Sequence, residues 1–370
     1  MVQRLIICFS LAIFVFSCQP EVETPPGTTP YDAGKLPDGF GNLEANSPKD
    51  NPNTVEGVAL GRMLFYEKRL SGNNTMSCGS CHQQKFAFTD GKAVSTGIDG
   101  VAGTRSAMSL VNLAWGKNFN WDGGAATLEE QLRTPLESPI EMHQPIGRSV
   151  NKLQNTATYP PLFQKAFGSK TITEENIAKA LAQFVRTLIS VNSKFDRFQK
   201  DEIALTPEEE AGFELFDRHP DPYPFKPIRG ANCFDCHPKP QFSQKNFANN
   251  GLDLEFTDPG LGGITGKLED MGKFKAPSLR NIALTAPYMH DGRFKTLREV
   301  LEHYNKGIKK DSPNLHPEMS FSNTPGTKKQ LDLTEDEIDQ VLAFLETLTD
   351  TSFVNDPRFS DPFEKTGMVP

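Results

Sequence analysis

Two short segments constrain this chain more than any other feature: CGSCH at residues 78–82 and CFDCH at residues 233–237. Two cysteines separated by two residues, with a histidine directly after, form the attachment signature of c-type haem. The thiols add across the vinyl groups of the macrocycle, and the histidine ligates iron from one side. A zinc site would need the two cysteine pairs to converge, and a thioredoxin-like site needs no histidine. Cys78, Cys81, His82, Cys233, Cys236 and His237 are therefore read as cofactor-binding residues, and the cofactors as two covalently bound haem c groups. Of the six cysteines in 370 residues, the other two, Cys8 and Cys18, lie near the N-terminus. That leaves no thiol for a disulfide scaffold.

Residues 1–17 hold a single charged side chain, Arg4, followed by an apolar run from Leu5 to Phe16. The run suits the hydrophobic region of a signal peptide and is too short for a permanent membrane span. Val15-Phe16-Ser17-Cys18 resembles a bacterial lipobox, whose cysteine becomes the acylated first residue of the mature protein; the alternative is an ordinary signal peptide with a chance cysteine. Both readings export the chain, so a periplasmic protein is expected, touching a membrane only through a lipid on Cys18. Residues 18–52 are rich in Pro, Gly, Asn and Thr without an apolar period, and read as a flexible tether. The balance of 39 Lys+Arg against 47 Asp+Glu gives a net charge of −8 with no basic block, so the chain lacks the positive footprint that nucleic acid requires. With 37% apolar and 23% charged residues and a mean hydropathy of −0.47, it can bury a core but is not a polytopic membrane protein.

The surroundings of the two motifs repeat. Gly61-x-x-Leu64-Phe65 precedes the first and Gly212-x-x-Leu215-Phe216 the second. After them, Ala107-x-Ser109-Leu110-x-Asn112-x-Ala114 returns 169 residues later as Ala276-x-Ser278-Leu279-x-Asn281-x-Ala283. At the same offset, Trp121-Asp122-Gly123 and Thr127-Leu128-x-Glu130 return as His290-Asp291-Gly292 and Thr296-Leu297-x-Glu299. Such self-similarity means one module written twice. Apolar stripes at 177, 181, 184, 185 and 188 and at 338, 341, 342, 345 and 348 have the helical period, and Thr334-x-x-Glu337 and Thr206-Pro207 mark helix starts. No sustained alternation suggests a sheet. The expected fold is mainly α, two tandem cytochrome c-like haem domains related by internal duplication. Their expected bounds are 53–200 for an N-terminal peroxidatic domain and 201–350 for a C-terminal electron-transfer domain, with 351–370 a short Pro-containing tail.

The segments LSGNNTMSCGSCH, NWDGGAATLEEQ, PLESPIEM and APSLRNIALTAPYMHDGRFKTLREVLEHYN resemble the bacterial di-haem cytochrome c peroxidase family, which includes MauG, over nearly all of 53–350. The resemblance implies that the first haem reacts with hydrogen peroxide and the second handles electrons. It also implies a distal Gln and Glu at the positions of Gln131 and Glu141. A carboxylate there shifts a proton between the peroxide oxygens, and an amide orients the peroxide. Trp121 matches a relay Trp between the haems, Pro135 a proline beside that path, and His290 a histidine near a haem propionate. The resemblance further implies calcium between the domains, held by an Asn side chain and two carbonyls. Thr285 and Pro287 match the carbonyl positions, but Ser106 replaces the Asn, and a hydroxyl is the weaker hard-cation ligand.

Two positions depart from the peroxidase pattern. Ser95 to Gly103 contains no histidine where many members carry one, so His82 is expected to be the only protein ligand of the first iron. Tyr304 stands fourteen residues after His290, where the peroxidases place Met and the MauG subgroup Tyr. An anionic phenolate suits high-valent iron, whereas Met raises the potential of a c-type haem; Met289 and Met319 compete for this role. The first functional reading is a di-haem peroxidase reducing hydrogen peroxide to water, with electrons from a small periplasmic cytochrome c or cupredoxin. The alternative is a MauG-like oxidase that uses peroxide to oxidise protein Trp or Tyr, or another organic substrate. A non-enzymatic electron carrier is the third, and Gln131 and Glu141 argue against it. The family resemblance also implies a homodimer, though no interface is legible in the sequence.

Overall fold

The computed structural model describes residues 27–221, 227–243, 246–326 and 330–364. The signal segment, Cys18 and the start of the tether lie outside the described residues. The chain is mainly helical. The first half contains α1 (Val55–Phe65), α2 (Cys78–Cys81), α3 (Leu128–Gln131), α4 (Thr134–Glu137), α5 (Ile146–Gln154), α6 (Tyr159–Phe167), α7 (Glu174–Arg186) and α8 (Lys194–Phe198). The second contains α9 (Pro207–Phe216), α10 (Leu261–Thr265), α11 (Leu297–Glu302), α12 (Glu335–Glu346) and α13 (Thr351–Val354). The strands β1 (Phe247–Ala248) and β2 (Phe274–Lys275) form one antiparallel pair, with Phe247 opposite Lys275. Among the described residues no helix is long and apolar enough to cross a membrane.

The helix starts follow the sequence signals. Thr206 and Thr334 accept the N–H of Glu209 and Glu337 at 3.3 and 3.2 Å, and each Glu reaches back to its Thr N–H. The same reciprocal pair opens α3 through Thr127 and Glu130, and α11 through Thr296 and Glu299. Each such cap stabilises its helix by about 1 kcal/mol.

The duplicated Gly-x-x-Leu-Phe segments are helix-crossing sites. α1 crosses α7 and α9 crosses α12, each at a glycine. A Cβ on Gly61 would lie 2.0 Å from the Ala180 carbonyl oxygen, and one on Gly212 would lie 1.8 Å from that of Gln340. Only a missing side chain lets the backbones approach so closely. The following Leu64, Phe65, Leu215 and Phe216 are buried beneath the crossings. Asn112 and Asn281 repeat too. Both take left-handed backbone, with φ of 58° and 60°, and donate their N–H to Leu188 and Leu348. Their amides converge on one seam: Asn112 bonds the backbone of Ser190, while Asn281 bonds Ser190 Oγ and the Asp350 N–H.

Two apolar cores result. The second gathers residues from Phe195 to Leu348, and Phe344 lies within 5.0–5.3 Å of the rings of Phe195, Phe213 and Phe216. The first gathers residues from Leu60 to Leu188 together with Phe353, Phe359 and Phe363. Residues 351–363 are therefore not a loose tail. They run back to the first core, where Phe353 meets Phe88 at 5.7 Å and Tyr66 donates to the Phe359 carbonyl at 2.6 Å. The described part of the tether is also corrected. The Thr29 carbonyl accepts from Val55 N–H at 2.8 Å, Tyr31 donates to Asn53, and Phe40 and Leu43 are buried. Phe40 meets Trp115 edge-on at 5.3 Å and lies under the Arg280 guanidinium at 4.9 Å, so it touches both halves. A segment without period can still be pinned by a few anchors, which pattern reading cannot show.

Candidate active site

Each attachment motif forms one tight turn. In the first, Ser77 and Ser80 cap α2 reciprocally, and His82 follows the last turn with its N–H on the Cys78 carbonyl at 2.9 Å. Its Nδ1 lies 2.8 Å from the Phe88 carbonyl. In the second, His237 N–H reaches Cys233 at 2.9 Å, and Nδ1 lies 3.0 Å from the Phe242 carbonyl. A carbonyl only accepts, so Nδ1 carries the proton in both rings and Nε2 keeps its lone pair for a metal. Burial lowers the basicity of both imidazoles, that of His237 to about 4, which keeps them neutral. None of the four cysteines is in a disulfide, and burial pushes the Cys78 and Cys233 thiols up to about 12.

Glu141 faces the first motif. Its charge is felt by Cys78 and Cys81, whose thiols it helps to raise. The residue is open to solvent on one side, yet protein crowds the carboxyl from the others. That burial raises its pKa against a hydrogen bond from Ser138. Two neighbours hold it. Its carbonyl accepts from Ile98 at 2.9 Å, and the next residue, Met142, donates to Pro135 at 3.1 Å. Pro135, at the start of α4, thus anchors the Glu141 segment, while Gln131 ends α3 half-buried. The histidine-free loop packs directly on this segment, since a Cβ on Gly97 would sit 2.2 Å from the Ile140 carbonyl. Downstream of that loop, Met142 is buried in the first core and His143 is exposed against Asp99 at 2.6 Å.

The second motif opens into a largely apolar cavity walled by Cys233, Cys236, His237, Met289, Tyr304 and Met319. Tyr304 sits where α11 widens into a single π-turn, His303–Gly307, a local underwinding that often marks functional sites. Its phenol is pushed up to about 12 by burial, opposed by Asn250. Asn250 Nδ2 lies 3.2 Å from Tyr304 Oη and 3.6 Å from Met289 Sδ. This amide therefore touches both competing ligands. Asn250 was not anticipated; it lies in an aperiodic stretch, where no pattern signals it.

The same cavity extends to the first half through Ser106, Met108 and Trp121. Trp121 Nε1 donates to the Ser106 carbonyl at 2.9 Å, and the Trp121 carbonyl accepts from Lys275. Ser106 N–H and Oγ bond the carbonyls of His290 and Met289 at 2.7 and 2.9 Å. Ser106, Thr285 and Pro287 border the cavity together. His290 is buried and stacks on Phe274, with centroids 3.7 Å apart and planes 9° apart.

Residues 55–204 match the sequence model of the di-haem cytochrome c peroxidases. The chain is 37% identical over 310 residues to the methylamine utilization protein MauG of Methylorubrum extorquens, covering 81% of this chain and 80% of that one. It is 31% identical over 319 residues to cytochrome c551 peroxidase of Nitrosomonas europaea, covering 84% and 86%. Among solved structures, a MauG-like protein associated with microbial copper homeostasis superposes with a TM-score of 0.74 at 39% identity, covering 86% of this chain and 96% of that one. The chain belongs to the di-haem cytochrome c peroxidase family. It is a haem oxidoreductase, and membership implies two haems and peroxide as substrate. The residues fit such groups: each motif offers two cysteines outside any disulfide and a neutral imidazole whose Nδ1 is held by a carbonyl, and the second faces a cavity with apolar walls.

Proposed function

We propose that this protein uses hydrogen peroxide to withdraw two electrons from an aromatic side chain of a protein or from another organic substrate, as a MauG-type oxidase. The observation that carries the reading is Tyr304, which lines the same cavity as His237 and Cys236 and whose hydroxyl is held by Asn250. The 39% likeness to a MauG-like structure and the 37% identity to MauG support it.

In this reading Cys78 and Cys81 would hold one haem by thioethers with His82 on its iron, and Cys233 and Cys236 the other with His237 and Tyr304. When bound, the haems supply redox-active iron that accepts oxidising equivalents from peroxide and stores them. The protein's own work is proton handling and orientation. Glu141 takes a proton from one peroxide oxygen onto a carboxylate oxygen and returns it to the other, so that the departing oxygen leaves as water. Gln131 orients the peroxide by hydrogen bonding. Trp121 stands in the cavity wall between the halves, where its indole relays charge, and Pro135 keeps the Glu141 segment in register. His290 would meet a haem propionate at the edge where its carbonyl holds Ser106. Calcium would rest on Ser106 Oγ and the carbonyls of Thr285 and Pro287, which border one cavity. The protein acts outside the cytoplasm, tethered through a lipid on Cys18.

A second reading has a specific observation behind it. Met289 Sδ lies within reach of the same Asn250 amide, and a sulfur ligand would favour reduction of peroxide to water with electrons from a small periplasmic cytochrome c or cupredoxin. One experiment separates the two. The di-haem protein is mixed with peroxide and then offered reduced cytochrome c. A long-lived oxidised state that reacts poorly with the cytochrome is expected; rapid stoichiometric oxidation of the cytochrome would overturn the MauG-type reading, and inertness to peroxide would overturn both.

A further inference from the structure

We propose that His219, Asp235 and Glu318 bind one divalent metal ion of the zinc class beside the second haem attachment segment. Their ligand atoms all lie within 4.8 Å of one another, and His219 Nε2 is 3.5 Å from Asp235 Oδ1. Asp235 sits inside the CFDCH motif, between the two cysteines. Glu318 lines the adjoining cavity, and His219 comes from the chain just after α9.

The imidazole is held in place before any ion arrives. Phe234 and Phe321 each approach its ring at 5.1 Å, at 81° and 56°. A second observation comes from Asn232, which is 92% buried, being 8% exposed. Its Nδ2 donates to Glu318 Oε2 at 3.2 Å, while its Oδ1 is buried without a partner. The cluster thus contains two carboxylates and an imidazole, with the Asn232 amide held against Glu318. Among the described residues neither carboxylate pairs with a lysine or arginine. Facing carboxylates without a cation repel, and a proton or a metal must relieve them.

The donor set selects the ion. One imidazole nitrogen with two carboxylates suits Zn²⁺ and its neighbours, whereas Ca²⁺ prefers oxygen alone. Zinc bonds of about 2.1 Å in tetrahedral geometry place ligand atoms about 3.4 Å apart, so the cluster closes by roughly 1 Å of side-chain rotation. The consequence is electrostatic. A doubly charged ion on Asp235 stands next to Cys236 and His237, where it favours the reduced over the oxidised form of the adjacent haem. This last step rests on the two-haem reading; the binding step does not.

The test titrates chelator-treated di-haem protein with ZnCl₂ alone by calorimetry, with a parallel arm containing excess Ca²⁺. One Zn²⁺ per chain is expected, undisturbed by Ca²⁺. Binding should weaken at least tenfold in His219→Ala and in Glu318→Gln, each checked to keep the wild-type haem absorption spectrum. Zn²⁺ should also raise the midpoint potential of the second haem in the wild type and leave it unmoved in His219→Ala. No stoichiometric binding, or equal affinity in wild type and both variants, overturns the site. Binding with an unmoved potential overturns its electrostatic role. Peroxide is absent throughout, so neither failure bears on the oxidase reading.

Discussion

Glu141 carries the chemistry most exposed to test at the scale of single residues. As proton acceptor it must be ionised, and burial has raised its pKa, so the peroxide reaction should rise with pH through a value above the usual carboxylate range. Glu141→Gln should slow that reaction by about 10²-fold or more and abolish this limb of the profile, measured by stopped-flow absorbance of the haems. An unchanged rate would show that the carboxylate moves no proton. Tyr304→Phe should alter the absorption spectrum of the second haem and leave the first as it was. An identical spectrum would transfer the ligand role to Met289. Both residues were legible in the sequence only through the family resemblance, which assigns a role to their spacing from Trp121 and His290. Asn250, which touches both Tyr304 and Met289, was not, because one amide in an aperiodic segment leaves no trace until the chain brings it across the cavity.

The elements repeat their packing as faithfully as their sequence. Because Gly61 and Gly212 each face a carbonyl oxygen within 2.0 Å of where a Cβ would stand, alanine at either position must push two helices apart. Each substitution should cost about 1–3 kcal/mol, read as a lowered midpoint of thermal unfolding. A buried ion pair joins α8 to the second motif's surroundings. Arg280, 2% exposed, forks onto Asp196 at 2.8 and 2.9 Å and also donates to the Pro240 carbonyl. Burial works to raise the Asp196 carboxyl, but Arg280 and Ser193 outweigh it and hold the pKa below 3.8. Its stabilisation is therefore present above the usual carboxylate range and lost as pH falls through the depressed native value. Asp196→Asn leaves the guanidinium without its counter-charge and should cost about 3 kcal/mol or more in chemical denaturation at pH 7. The helical stripes and helix-start signals announced α7, α9 and α12. The Asp196–Arg280 pair was silent, since it joins residues 84 apart with no local pattern between them.

Across the whole molecule, the two halves are tied by chain that pattern reading assigned to neither. Phe40 reaches Trp115 of the first half and Arg280 of the second, and Phe353, Phe359 and Phe363 return past the second core to complete the first. Phe353→Ala should therefore cost about 3–5 kcal/mol. The loss should appear as earlier unfolding at the first haem's spectroscopic signals, although residue 353 follows the second module in sequence. Earlier loss at the second haem would refute that wiring. The sequence alone determined the cofactor type, the duplication, the helical class and the family, because these rest on covalent motifs and on periods that each segment carries within itself. Only the tertiary structure decided that Glu141 faces Cys78 and Cys81, that Tyr304 and Met289 share one amide, that two carboxylates and a histidine meet beside the second motif, and that both ends of the described chain are clamped. Such contacts join segments that are far apart along the chain. Packing selects them through close approach, burial and charge, and none of these is a property of any one segment.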